Sequence, residues 1–380
     1  MAISIHEFLK ATPLARHVRL LEAMRRLRRA LGLADTQTPL APPLVEPIAA
    51  PTSTSTPASA PTPASALKQA TPLEAPLRPQ PAVPARPASF AEEAFQFGDD
   101  AYAYRIYLPG AADTEALAAS PLPLVVLLHG CKQDAADFAL GTAMNALAEQ
   151  KQCIVLYPEQ SSRANPMRCW NWFEPAHQDK GAGEPAMIAA LTRQVLKCHN
   201  ADPARVYIAG LSAGGAMAAL VAGLYPELYT ALGVHSGVPT GAAGDVISAF
   251  GAMRRGARRS ALAAEKGGAI PTIVFHGSAD KTVHPDNGDR IADAALAALG
   301  ASGLALKKSQ RTEESRADTD SRRSLRTVYS AADGKSWVEH WAVESGPHAW
   351  SGGNAAGSFT DPQGPGASLA MLEFFLQHRQ

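Results

Sequence analysis

The 380-residue chain reads as an α/β protein: a mostly parallel central sheet with helices on both faces. Three observations lead there. Continuous apolar runs such as Leu122–Leu128 belong to strands covered on both sides. These runs alternate with segments of helical periodicity, the order that crossovers between parallel strands produce. Finally, Arg205-Val-Tyr-Ile-Ala-Gly210-Leu-Ser212-Ala-Gly214 joins a β-branched and aromatic run to a helical one through a Gly-x-Ser-x-Gly turn. In that context the turn lifts Ser212 clear of the backbone, and the flanking glycines leave room for neighbouring chain.

Composition divides the chain into three. Residues 1–35 form a basic amphipathic helical segment, with Leu20, Met24, Leu27 and Leu31 at helical spacing and arginines on another face. Seven Lys or Arg face two Glu in its first 33 residues, so it suits either intramolecular or oligomeric docking, or a lipid-like or polymer-granule surface. Residues 36–89 hold fourteen of the thirty prolines and little besides Pro, Ala, Thr and Ser. Such a stretch buries too little apolar surface to offset its ordering entropy, and it reads as a disordered, partly polyproline linker. Residues 90–380 are the folded domain.

Within that domain Tyr102–Leu108 alternates as a half-buried strand. Leu122–Leu128 follows as a buried one ending in His129-Gly130, and a helical pattern runs through Met144 and Leu147. Cys153–Tyr157 is a buried strand, followed by a Trp- and Asn-rich loop and a helix over Glu184–Cys198. After the strand Val206–Ala209, the helix beyond Ser212 reaches about Leu224. Ala231–His235 and Thr272–Phe275 read as strands and Asp289–Leu299 as a helix. Arg326–Tyr329 and Trp337–Val343 are late strands, and a helix over Ser368–His378 closes the chain. The polar stretch Lys307–Arg323 reads as a solvated loop, with a lid as the alternative.

In an open α/β sheet the reactive groups belong at the carboxyl ends of strands. Ser212, Asp280 in His276-Gly-Ser-Ala-Asp280, and His348 in Gly346-Pro-His348-Ala-Trp350 each follow a strand, so all three fall on one rim. Their order along the chain, serine then acid then histidine, is that of an α/β-hydrolase. A serine hydroxyl needs an imidazole to take its proton, and a carboxylate holds that imidazole in the right tautomer. Of the eleven histidines, His6 and His17 lie in the N-terminal arm, His199 closes a helix, His340 is inside a strand and His378 is near the end. His129 and His276 precede the glycines of tight turns, where a structural or supporting role is natural. Asp280 is favoured over Asp286, which sits where a helix cap belongs.

The N–H of Ala213, after the nucleophile, and that of Cys131, after His129-Gly130, are the candidate oxyanion donors. Trp170, Trp172 and Trp350 are candidate substrate contacts, with core plugging as the alternative for the aromatic loop.

Formal charge is zero, with 35 basic and 35 acidic side chains, which argues against nucleic acid as the main partner. No apolar run approaches the roughly 20 residues that span a bilayer, and the N-terminus lacks the pattern of a secretory signal, so the cytoplasm is the default compartment. Four cysteines do not suggest a disulfide scaffold; Cys131 and Cys169 lie in motif segments, and whether they pair is left open. No cofactor is called for, and no His, Cys or carboxylate cluster has metal-ligand spacing.

His129-Gly-Cys-Lys-Gln, Tyr157-Pro-Glu-Gln, Cys169-Trp-Asn-Trp-Phe, Gly210-Leu-Ser-Ala-Gly-Gly-Ala-Met and Gly346-Pro-His-Ala-Trp together resemble the polyhydroxybutyrate (PHB) depolymerase family of esterases. The resemblance implies an α/β-hydrolase that cleaves 3-hydroxybutyrate polyesters, their oligomers or related short hydroxyacyl esters. It also supports Ser212, Asp280 and His348 as the triad and Cys131 as an oxyanion contributor. Many members of that family act outside the cell, which makes an extracellular location the alternative. Feruloyl and acetylxylan esterases are close relatives, and a non-catalytic granule-surface protein is the rival from another class.

Overall fold

A computed structural model of the chain describes residues 86–110, 120–257, 269–314 and 321–380. The expectations for the amphipathic segment 1–35 and for the linker as far as residue 85 lie outside them.

The principal strands are β1 (Ser89–Phe97), β2 (Asp100–Leu108), β3 (Leu122–Leu128), β4 (Ile154–Pro158), β5 (Ala201–Leu211), β6 (Ala231–His235), β7 (Thr272–Gly277), β8 (Lys307–Glu314), β9 (Arg323–Ser330) and β10 (Ser336–Val343). They form one sheet in the order β1-β2-β4-β3-β5-β6-β7-β10-β9-β8. From β4 to β10 each neighbour is parallel, whereas the β1–β2 and β8–β9 pairs at the two margins are antiparallel. The parallel strands are the apolar ones. In β3 every residue is buried, with Leu124, Val126 and Leu128 in the core on one face and Val125 and Leu127 in the core on the other. A strand can be apolar at both parities only where helices cover both sides.

Seven α-helices supply that cover among the described residues: α1 (Ala135–Thr142), α2 (Met144–Lys151), α3 (Gly183–Cys198), α4 (Ala213–Leu224), α5 (Val246–Arg255), α6 (Asp286–Ala301) and α7 (Ala367–Phe375). Helices α3, α4 and α6 contribute to the core on one face, and α1, α2 and α7 to the other. Helix α4, AGGAMAALVAGL, is buried along almost its whole length; small side chains let its backbone approach β5 and β6 closely. Helix α7 seats Met371 and Phe375 against Gly233 of β6, and Phe375 stacks on Tyr207 of β5 with centroids 5.2 Å apart. Two short strands, β11 (Trp350–Ser351) and β12 (Thr360–Asp361), pair in parallel beyond β10.

Three elements differ from expectation. Lys307–Glu314 is a strand rather than a loop: its backbone pairs antiparallel with β9 from Lys307–Ser330 to Glu314–Arg323. It forms the edge of the sheet, where hydrogen bonding rather than burial makes the strand and charged side chains are tolerated. Ser89–Phe97 is likewise an edge strand, with only Phe95 buried. Helix α5 carries no sequence expectation, although Asp245 and Ser248 form a capping box at its start: the Asp245 carboxylate accepts from the Ser248 N–H, and the Ser248 hydroxyl from the Asp245 N–H.

Candidate active site

The parallel direction of β3 to β7 and β10 brings their carboxyl ends to one rim. His129-Gly130-Cys131 follows β3, Glu159-Gln160 follows β4, Ser212 follows β5, Asp280 follows β7 and His348 follows β10.

Ser212 has φ 57° and ψ −119°, a conformation costly for any residue with a Cβ. What surrounds it leaves no alternative path. A Cβ at Gly214 would lie 2.1 Å from the Leu128 carbonyl oxygen, so only glycine lets the first turn of α4 press onto the end of β3. The Ser212 N–H donates to the His235 carbonyl at 2.8 Å, tying the turn to the end of β6.

The imidazole of His348 bridges serine and acid: Nδ1 lies 2.6 Å from Asp280 Oδ2 and Nε2 lies 2.9 Å from Ser212 Oγ. Because a carboxylate only accepts, Nδ1 carries the proton and Nε2 offers a lone pair to the serine hydroxyl. The Asp280 side chain is fully buried. Its Oδ1 accepts from the Thr282 and Val283 N–H groups, each at 2.8 Å. Burial raises its carboxyl pKa, but N–H donation from His276 and then His348 more than offsets this, and the group is held well below the usual carboxylate range.

The loops bearing acid and histidine touch directly. A Cβ at Gly277 would fall 2.2 Å from the Gly346 oxygen. The Ala279 N–H donates to the same Gly346 oxygen at 3.0 Å, and the Ser345 N–H to Ser278 Oγ at 2.8 Å. Asp286, the other acid considered, is half-exposed and faces His284.

Cys131 and Cys169 form a disulfide, which settles the pairing left open. The Lys132 N–H donates to the Met167 oxygen at 2.7 Å beside the bridge, and the Gly130 N–H to Gln133 Oε1 at 3.0 Å. The Cys131 N–H thus stands on a loop fastened on both sides, and Ala213 is the first residue of α4, where helix N–H groups lack intrahelical acceptors.

Behind this loop lies a buried network that joins His129 to Gln160 and Glu184. His129 donates from Nδ1 to the Gly130 oxygen and accepts at Nε2 from the Gln160 N–H at 3.0 Å; burial pushes its pKa down to about 4. Gln160 bonds Glu184, which is buried and also accepts from the main-chain and side-chain N–H groups of Asn171. The motif Tyr157-Pro-Glu-Gln160 was the available signal; Glu184 read only as the start of a helix.

The tryptophans need correction as substrate contacts. Trp170 is fully buried against His129, and Trp172 is 8% exposed and packs edge-on against Phe173. Trp350, 1% exposed, stacks on His235, meets Phe138 edge-on and donates to Ser368 Oγ. All three serve as core plugs. His235, also missed, is held between Phe275 and Trp350, accepts the Ser351 N–H at Nε2 and, chiefly through burial, has its pKa pushed down to about 3. Among the described residues no group of His, Cys, Asp or Glu is placed to hold a metal ion, and no helix is long and apolar enough to cross a membrane.

Two expected outcomes follow from this geometry. His129, His235 and His378 are neutral in the fold, with pKa values lowered by burial to about 4, 3 and 4 against about 6.5 in the unfolded chain. The unfolded state therefore takes up protons first. Stability is full above about pH 6.5 and falls towards pH 4, at up to about 4 kcal/mol per pH unit for three such groups. Urea unfolding at pH 7.5 and pH 5 measures this, and an unchanged midpoint would contradict it. Secondly, Cys169→Ser frees the Cys131 loop and is expected to lower kcat on a soluble ester by about tenfold or more, since one oxyanion donor carries about a hundredfold. Unchanged kcat, with the loss of the bridge verified by thiol titration, would show that the bridge does not hold the loop for catalysis.

A sequence profile of the family described as Esterase PHB depolymerase matches residues 102–320. A poly(3-hydroxyalkanoate) depolymerase C from Paucimonas lemoignei is 38% identical over 175 residues, covering 43% of this chain and 42% of that protein. A feruloyl esterase B from Thermothelomyces thermophilus is 31% identical over 216 residues, covering 52% of this chain and 71% of its own length. The chain thus spans less than half of the depolymerase it matches. An acetyl xylan esterase from Aspergillus awamori shares the fold, with a TM-score of 0.52 at 19% identity over 76% of this chain and 99% of that one. With a family profile covering more than half of its length, the chain belongs to the PHB depolymerase family of esterases.

Proposed function

We propose that this chain is a serine ester hydrolase acting on polyhydroxybutyrate, its oligomers or related short hydroxyacyl esters through an acyl-enzyme on Ser212. The observation that carries the reading is the continuous relay from Ser212 Oγ to His348 to Asp280, at 2.9 and 2.6 Å, on the turn between β5 and α4. In acylation Ser212 Oγ attacks the ester carbonyl carbon while its proton passes to His348 Nε2. The tetrahedral oxyanion meets the Ala213 and Cys131 N–H groups, and His348 returns the proton to the departing alcohol. Water then repeats the sequence on the acyl-enzyme, with His348 taking its proton, and releases the acid. Asp280 stays ionised throughout and stabilises the imidazolium.

A second reading keeps the chemistry and changes the acyl group to a feruloyl or acetyl ester of a polysaccharide; the extent of the match to the Thermothelomyces thermophilus feruloyl esterase favours it. The Cys131–Cys169 bridge supports an oxidising compartment over the cytoplasm, because such bonds persist where thiols are not kept reduced. In this proposal residues 90–380 catalyse, 36–89 link, and 1–35 attach the enzyme to a polymer-granule surface.

Ser212→Ala should reduce turnover of p-nitrophenyl butyrate by at least about a thousandfold; equal rates would refute the nucleophile. On wild type a 3-hydroxybutyrate trimer should be cleaved with higher kcat/KM than methyl ferulate, and the reverse order would establish the second reading. A chain lacking residues 1–85 is expected to keep soluble-ester activity and lose binding to a polyhydroxybutyrate film. Undiminished film binding would remove the targeting role.

A further inference from the structure

Asp280 Oδ2 faces two imidazoles. Besides His348, His276 points its Nε2 towards it at 3.4 Å, and the same nitrogen lies 3.0 Å from the Val283 oxygen. Both neighbours are acceptors, so Nε2 carries the hydrogen; it donates to the Val283 oxygen, and the Asp280 carboxylate lies within ion-pair distance of the same N–H edge. The ring is 2% exposed at the end of β7, four residues before Asp280. Its other nitrogen, Nδ1, is buried beside Gly288, where a Cβ would lie 3.0 Å away, and has no hydrogen-bond partner among the described residues. A ring kept only to fill space would be less costly as an aliphatic side chain, because a buried polar atom without a partner is destabilising. The single hydrogen bond of this imidazole is therefore the one to Val283, which aims its Nε2–H edge at the acid 3.4 Å away.

We propose that His276 is a positioning residue of the hydrolase reaction: its Nε2–H edge faces the Asp280 carboxylate and takes part of its charge, which sets how strongly Asp280 holds the Nδ1–H of His348. The inference rests on the assignment of Ser212, Asp280 and His348 made above. The lowering of the Asp280 pKa by His276, ahead of His348, agrees with it. The other titratable groups facing this pair are His235 from β6 and His340 from β10, with Asp289 of α6 beside His340. None of them changes in the variants below.

His276→Gln keeps an N–H near the Nε2 position, whereas His276→Asn moves the donor back towards the unpartnered Nδ1 position. Without the donor, Asp280 draws more strongly on the His348 proton, the imidazolium is favoured and the base is lost at higher pH. In the pH profile of kcat/KM for p-nitrophenyl butyrate, the acid limb of His276→Asn should move up by on the order of half a pH unit, and its kcat should fall about tenfold. His276→Gln should keep the wild-type limb. A role in packing alone would lower the unfolding temperature and leave the limb in place, so coincident limbs in wild type and His276→Asn, or equal shifts in both variants, would overturn the proposal.

If the asparagine variant does not fold, NMR titration of 15N-histidine-labelled wild type decides. The His276 resonances should move with the midpoint of His348, and a flat His276 response overturns the proposal. Ser212→Ala is assayed alongside: activity retained there would remove the triad assignment itself, whereas an inactive Ser212→Ala with coincident limbs would remove only the role of His276.

Discussion

Asp280 and His348 stand 68 residues apart in sequence, and they meet because two backbones touch where Gly277 lies against the Gly346 carbonyl. That approach depends on the register of the sheet. β10 pairs with β7 in parallel as far as Val343 and Gly277, so the two strands end level and their loops leave side by side. The Ser278 N–H then donates to the Val343 oxygen and the Ala279 N–H to the Gly346 oxygen, and the acid turn is bonded along the histidine turn before either side chain is considered. A one-residue slip of β10 would send its side chains to the opposite face and separate the pair.

The proposed nucleophile is held by a different means. Ser212 occupies a conformation that costs on the order of 1–3 kcal/mol, and the surrounding structure imposes it. Leu128 at the end of β3 lies on one side, helix α4 begins immediately after, and the His235 carbonyl accepts the Ser212 N–H. The His235 ring is in turn stacked between Phe275 and Trp350 and bonded to the Ser351 N–H, three residues beyond His348. One residue at the end of β6 therefore binds the serine turn through its main chain and the histidine loop through its side chain.

Much of this was legible in the sequence. The buried parallel strands announce themselves by continuous apolar runs, because both faces must be covered, and the Gly-x-Ser-x-Gly turn is explained by the collisions a Cβ would make at Gly214. Ser212, Asp280 and His348, which the structure brings within hydrogen-bonding distance, stood out because each follows a strand. What escaped has no signature along one line of sequence. β1 and β8 are polar edge strands made by pairing rather than burial. The surroundings of His235 and Glu184 come from segments distant in sequence or across the sheet. Trp170, Trp172 and Trp350 misled because an indole in a motif loop looks the same whether it meets a ligand or, as here, plugs the core.

The margins of the sheet bear on how neighbouring molecules meet. Among the described residues the ten-stranded sheet ends at β1 and β8, and a margin of this kind can grow by accepting a strand from a second molecule. Lys307, Lys308, Arg311 and Glu313 along β8, and Glu92 and Glu93 along β1, give both margins ionised side chains. An incoming chain would have to strip water from these groups to continue the ladder. Such borders oppose intermolecular strand addition while the apolar strands stay inside.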